Sequence, residues 1–315
     1  MSAWTTHDIP PQQGRKVVIT GATGGLGYET ALALAQAGAD VLMTGRNAAK
    51  GKDALSRVQA EVPGAVVRYA HLDLADLASV EAFAGQLAGE WEGIDLLVNN
   101  AGVMTPPTRH ETADGFELQF GTNYLGHFAL TGRLLPMLRK GSRTRVVNLS
   151  SGAHRIQAAI HFDDLQWQKR YRPWAAYAQS KLAMILFAFE LQRRSDANGW
   201  GLLSNAAHPG YALTDLQTSG PTLGHDGRPS RLDWLGRLLA PVLSQSAAQG
   251  TLPTLFAATA PDAKPGGYYG PQGLFELKGA VGEARIGRHA RDTAVASRLW
   301  DVSRELTGAG WPGGA

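Results

Sequence analysis

The stretch Val17–Gly38 reads VVITGATGGLGYETALALAQAG. A β-branched strand ends at Thr20, and an apolar helix runs from Leu26 to Ala37 and stops before Gly38. The turn between them holds Gly21, Gly24, Gly25 and Gly27, together with Thr23 and Leu26. Such a turn lets a pyrophosphate approach the backbone and rest on a helix N-terminus, where N–H groups are unpaired and the dipole is positive. A plain tight connection is the bland alternative. The strand before and the helix after favour a nucleotide.

The same alternation continues outward. Val41–Thr44, Val66–His71, Ile94–Val98, Arg145–Leu149 and Leu202–Ala207 are short apolar strands. Ala48–Val62, Leu77–Trp91, Ala113–Arg139 and Trp174–Ser195 carry helical patterns. Near-continuous apolar strands alternating with helices predict an α/β fold, a doubly wound parallel sheet with helices on both faces. No repeat and no linker divides the chain. The expectation is a single domain over residues 1–315, with its core at about 15–215 and 245–300 and an insertion at about 212–245. Within that insertion Thr218–Ser244 is rich in Gly, Pro and Arg. The tail GAGWPGGA reads as frayed.

Bulk composition excludes several classes. The chain has 315 residues, 30 basic and 27 acidic, with no block of Lys or Arg, which argues against nucleic acid as a partner. There are no cysteines, so disulfides, thiolate chemistry and Cys-ligated zinc are out, and a reducing, cytoplasmic location is expected. The first fourteen residues lack a basic and an apolar region, so no signal peptide is expected, nor a membrane anchor. No His/Asp/Glu set has metal spacing, so no catalytic metal is expected. A Gly-x-Ser-x-Gly elbow is missing, which argues against a hydrolase.

The cofactor can be argued further. An NAD site usually has a carboxylate at the end of the second strand. Here that strand runs into Thr44-Gly45-Arg46, and a guanidinium suits a 2′-phosphate. The expectation is NADP(H). Asp73 and Leu74 follow the third strand, and Asn99, Asn100, Ala101 and Gly102 follow the fourth. Ligands of open sheets bind outside the carboxyl ends of strands, so both turns are candidate cofactor contacts.

Tyr177 and Lys181 are four apart on the apolar helix AAYAQSKLAMILFAFEL and share a face. Reduction of a ketone builds charge on the carbonyl oxygen, which needs a proton. A phenol with a pKa of about 10 is a poor donor and acceptor at neutral pH, and an ammonium nearby favours the phenolate. Bringing it to about 7 takes roughly 4 kcal/mol. A serine hydroxyl from Val147-Asn148-Leu149-Ser150-Ser151 would orient the carbonyl.

With these residues in hand, the chain resembles the short-chain dehydrogenases/reductases over roughly residues 15–215. The markers in order are TGATGGLG, LDL, NNAG, TNYLGHF, NLSS, YAQSK and HPG. The resemblance implies a Rossmann fold of about seven strands and a catalytic group of Asn123, Ser151, Tyr177 and Lys181. Ser151 is preferred because the second serine of the pair is the usual one in the family. It also implies a water held by Asn123, a Lys181 contact to the nicotinamide ribose, and cofactor contacts from Pro209, Gly210 and Thr214. His208 is better read as part of a turn than as a base. Pairing into a homodimer or homotetramer would use the helices holding Asn123 and Tyr177.

A long stretch between Ser151 and Tyr177, with TGRN and SKLAMILFAFEL, is similar to the retinol-dehydrogenase and protochlorophyllide-reductase-like branch. His154, Arg155, Tyr171 and Trp174 in that stretch are packing or surface residues, or border the pocket. Apolar Tyr211, Leu213, Leu216 and Leu223 suggest a hydrophobic substrate. The resulting expectation is a carbonyl reductase or alcohol dehydrogenase using NADP(H) on a ketone, aldehyde or secondary alcohol. The rivals are a non-catalytic NADP(H)-binding protein of the same fold and an enzyme acting on a C=C bond.

Overall fold

The strand that ends in the glycine loop, β1 (Lys16–Ile19), lies inside a single sheet flanked by β2 (Asp40–Gly45) and β4 (Leu96–Asn99). The computed structural model describes residues 3–211 and 245–312. Among these, β3 (Val67–His71), β5 (Arg145–Leu149), β6 (Leu203–Ala207), β7 (Tyr268–Pro271) and β8 (Val281–Glu283) complete an eight-stranded sheet of order β3-β2-β1-β4-β5-β6-β7-β8. Every pairing is parallel except β7–β8. The expected seven strands thus gain an antiparallel eighth at the edge. Thr214 and the whole of Thr218–Ser244 lie outside the described residues, as do Leu213, Leu216 and Leu223.

Strand residues alternate between two cores, as a pleated sheet requires. Val18, Leu42, Leu97 and Val146 belong to one core, and Val17, Ile19, Met43, Val98 and Val147 to the other. The first core is closed by α3 (Leu77–Glu90), α5 (Gly126–Leu138), α6 (Pro173–Asn198) and α9 (Thr293–Thr307). The second is closed by α1 (Gly25–Gln36), α2 (Ala48–Glu61) and α8 (Leu252–Thr259), with the short α7 (Ala247–Gly250) against α1.

The helix expected from Ala113 begins only at α4 (Leu118–Phe120) and continues as a π turn, Gly121–Leu125, into α5. Asp114 and Gly115 form a turn instead. Gly115 has φ 82°, and its N–H donates to Thr112 O at 3.0 Å. Glu117 then caps α4, accepting from the amides of Gln119 and Phe120.

The tail corrects another expectation. Trp311 is buried and packs on Trp300 with ring centres 4.4 Å apart, and on Phe128 of α5 at 5.2 Å. Trp300 packs on Phe128 and on Phe187 of α6. The outer face of α5 and α6, through which pairing was expected, is covered here by the chain's own C-terminus.

Candidate active site

β1 and β4 are neighbours, but the chain leaves them toward opposite edges of the sheet. Their carboxyl ends therefore open a crevice. A cleft of about 360 Å³ occupies it, lined by Gly21, Thr23, Gly24, Gly25, Leu26 and Gly27 on one side and Asn100, Ala101 and Gly102 on the other. Gly21 and Gly27 are sterically required. A Cβ on Gly27 would lie 2.3 Å from Gly21 O, and one on Gly21 2.9 Å from the Ala101 Cα. The N-cap of α1 is Gly24, with no side chain to satisfy the first amides. Those amides are free to meet an anion, so the cradle fits a dinucleotide.

Arg46, Asp73 and Leu74 also line the cleft. So does Lys50, which sequence reading missed. It stands in the first turn of α2, capped by Asn47, whose side chain accepts from the Lys50 amide at 3.0 Å. Its position four residues after Arg46 is the signal that was available.

Asn99 stands behind that lining. Its side chain is fully buried, donating to Thr131 Oγ1 at 3.1 Å and Asn148 Oδ1 at 2.9 Å. It braces β4 against α5 and β5 behind the cleft wall. Asn100 faces the loop instead, donating to Thr20 O at 2.8 Å.

A buried histidine, also missed, ties the loop to the next part of the site. His127 Nδ1 donates to Asn123 O at 2.8 Å, a carbonyl that can only accept. Nε2 is therefore the acceptor and takes the Thr20 hydroxyl at 2.8 Å. Thr20 Oγ1 in turn accepts the amides of Asn100 and Ala101, each at 2.9 Å. Burial brings the His127 pKa down to about 3, which keeps the ring neutral.

Asn123 sits in the π turn, a geometry that recurs at functional sites. Its amide bonds the Val103 backbone in both directions, accepting at 2.7 Å and donating at 3.0 Å. It also donates to Ser180 Oγ at 2.9 Å. A Cβ on Gly102 would meet Asn123 Oδ1 at 3.2 Å and Lys181 Nζ at 3.6 Å, so the cofactor cleft and the lysine adjoin there.

Tyr177 and Lys181 are both buried on α6, with Nζ 5.8 Å from the phenol ring centre. Nζ donates to Leu149 O at 3.1 Å. Ser151 lies against the phenol, while Ser150 donates to Lys181 O at 2.8 Å. The electrostatics overturn one expectation. Burial pushes the Tyr177 pKa up to about 12, and the group opposing it is Ser151, as a hydrogen-bond partner, not the ammonium. Burial also lowers Lys181, from 10.5 to about 8.

The long stretch between Ser151 and Tyr177 divides. Tyr171 accepts from Gln119 Nε2 at 3.0 Å, Trp174 is half exposed with its ring 6.0 Å from that of Tyr177, and His154 is buried. Pro209 and Gly210 follow β6, which neighbours the strand leading to Ser151. Pro209 O accepts from Gln245 Nε2 at 2.6 Å. No group of three or more His, Asp or Glu placed to hold a metal occurs among the described residues, nor does any helix long and apolar enough to cross a membrane.

This combination of a doubly wound sheet, a glycine cradle at its switch point and a Ser/Tyr/Lys group beside it defines a nucleotide-dependent oxidoreductase. The family model described as short chain dehydrogenase matches residues 15–222, and the chain belongs to that family, in its retinol-dehydrogenase-like branch. Mouse retinol dehydrogenase 12 is 41% identical over 98% of this chain and 90% of its own. Mouse polyprenol dehydrogenase is 40% identical over 96% and 86%. A crystal structure of a protein from Mycobacterium paratuberculosis is 40% identical, with a TM-score of 0.79, covering 99% of this chain and all of that one.

Proposed function

We propose that the protein is an NADP(H)-dependent carbonyl reductase or alcohol dehydrogenase. It interconverts an apolar ketone or aldehyde with its alcohol. The observation that carries this reading is the meeting of Tyr177 with Ser151, Lys181 one turn away, at the Gly102–Asn123 end of the cleft.

The choice of NADP(H) is supported by two cations and no carboxylate where β2 runs into α2. Arg46 and Lys50 would hold the 2′-phosphate, and the glycine loop the pyrophosphate. Bound NADP(H) supplies the hydride. The chain supplies the rest. The Ser151 hydroxyl orients the substrate oxygen, and the Tyr177 hydroxyl gives it a proton in reduction. Lys181 places positive charge beside that proton's site, and Asn123 holds the wall next to Lys181 in place. An apolar substrate is supported by Trp174 beside Tyr177 and by relatives named for retinol and polyprenol. The cysteine-free composition supports a cytoplasmic setting. With Trp300 and Trp311 over α5 and α6, that helix face is read as internal packing rather than a pairing surface.

The test is NADPH oxidation followed by absorbance against ketones, aldehydes and enones of graded apolar length. Wild type is expected to turn over carbonyls. Tyr177→Phe should lose turnover by roughly a thousandfold or more while NADPH binding persists. Undiminished turnover in Tyr177→Phe rejects the mechanism.

A further inference from the structure

The family match stops at residue 222, but the site does not. Between β7 and β8 two consecutive non-glycine residues, Phe275 (φ 53°) and Glu276 (φ 59°), take the left-handed conformation that L side chains rarely adopt. Phe275 gains no burial from this, being 76% exposed. What the turn achieves is to carry Glu276 inward, where it is 8% exposed.

Inside, its carboxylate meets two turns of the site. Oε2 lies 2.9 Å from Arg155 Nη1 and 3.4 Å from His208 Nε2, while Oε1 accepts the Arg285 amide at 2.8 Å. The His208 tautomer follows from its other nitrogen. The Gly210 N–H donates to Nδ1 at 3.2 Å, so Nε2 carries the hydrogen and faces the carboxylate. A Cβ on Gly270 would fall 2.0 Å from Nε2, so the ring lies flush on that glycine. Arg155 ends the 3-10 turn Gly152–Arg155, whose cap is Ser151. The Ser151 hydroxyl accepts from the Ala153 amide at 3.2 Å. Burial alone would raise the Glu276 pKa, yet His208, the Arg285 amide and Arg155 together hold it down to about 2, so it is a carboxylate at neutral pH.

We propose that Glu276 is a positioning residue that locks the Ser151 turn and the Pro209–Gly210 turn in register, through Arg155 on one side and His208 on the other. The assignment rests on the dehydrogenase reading above. It makes a C-terminal segment outside the family match part of the site.

Two substitutions at His208 separate its two contacts. Asparagine keeps an acceptor near the Nδ1 position for Gly210 and loses the carboxylate, while glutamine keeps a donor near Nε2 and loses Gly210. Full-length wild type, E276Q, H208N, H208Q and E276Q/H208N are compared for kcat, for KM and for NADPH Kd by fluorescence titration. E276Q and H208N should each lower kcat roughly tenfold to a hundredfold through misplacement of the reacting groups. Each should weaken NADPH severalfold, at full NADPH stoichiometry. The double variant should be no worse than the poorer single, because both break one chain of contacts. Wild-type kcat and Kd in E276Q, or losses that multiply in the double variant, overturn the proposal. H208N decides the matter should E276Q not fold. A wild type that binds NADPH but reduces no carbonyl rejects the dehydrogenase reading, and the Kd comparison still decides this one.

Discussion

Replacing Lys181 with methionine should stabilise the cofactor-free protein while abolishing turnover. Lys181 is 4% exposed, and burial lowers its pKa from 10.5 to about 8. That displacement sets about 3 kcal/mol against the charged amine near neutral pH. Opposing it is one hydrogen bond, Nζ to Leu149 O at 3.1 Å, worth about 1 kcal/mol. Methionine keeps most of the stem, so the net gain is about 2 kcal/mol, or about 3 °C in a chain of this size. The pH dependence gives a second handle. The folded pKa lies below the unfolded one, so between about 8 and 10.5 the unfolded chain binds more protons and wild-type stability rises with pH. Lys181→Met has no such rise. The gap should be full below pH 8 and close as pH approaches 10.5. Tyr177, raised to about 12, loses stability only above about pH 10, and does so in both proteins. Thermal melts without nucleotide from pH 6 to 10 measure this. A variant less stable than wild type at pH 7, or a gap of constant size to pH 10, refutes the reasoning.

Arg46→Ala should lower the ratio of kcat/KM for NADPH over NADH about tenfold, the low end for a charge-assisted bond because the side chain is exposed. Adding Lys50→Ala should bring the loss to roughly a hundredfold, and an unchanged ratio would reject the 2′-phosphate assignment. Trp311→Ala should cost about 3–5 kcal/mol, lowering the melting temperature by roughly 5–8 °C. A change below about 1 °C would restore the view of the tail as frayed.

Much of the fold was legible because its signals are local. β5 occupies the residues expected for it, Arg145–Leu149, since a strand buried on both faces is a run of apolar residues. The glycine loop was legible for the same reason: its glycines, strand and helix are adjacent in sequence, even though Ala101 also crowds Gly21 from afar. The failures are non-local or short. Nothing near Trp311 marks it as core, because its partners Phe128, Phe187, Trp200 and Trp300 come from four other places in the chain. β8 is three residues long and contains a glycine, too little to show a period. The apolar periodicity of α5 was extended back through Asp114-Gly115, a turn pair that should have ended it. Asn99 and Asn100 look alike in sequence. Strand alternation decides between them, burying the first and turning the second toward the loop.

The inverted Tyr177 shift bears on direction. Sequence spacing suggests that an ammonium four residues on makes the phenol acidic, which treats the pair as if water surrounded it. The pair is instead buried on α6, where desolvation works against each charge and leads both shifts. Reduction of a carbonyl needs Tyr177 protonated, and a phenol raised to about 12 is protonated at neutral pH without further cost. Oxidation of an alcohol needs the phenolate, which at pH 7 lies about 7 kcal/mol uphill from that starting point. In the proposed mechanism Ser151, the group that acts against burial, would do more than anchor substrate, since it lowers the same barrier. The arrangement supports reduction as the easier direction at neutral pH, where Lys181, lowered to about 8, is still mostly charged and holds a proton to follow the one Tyr177 gives up.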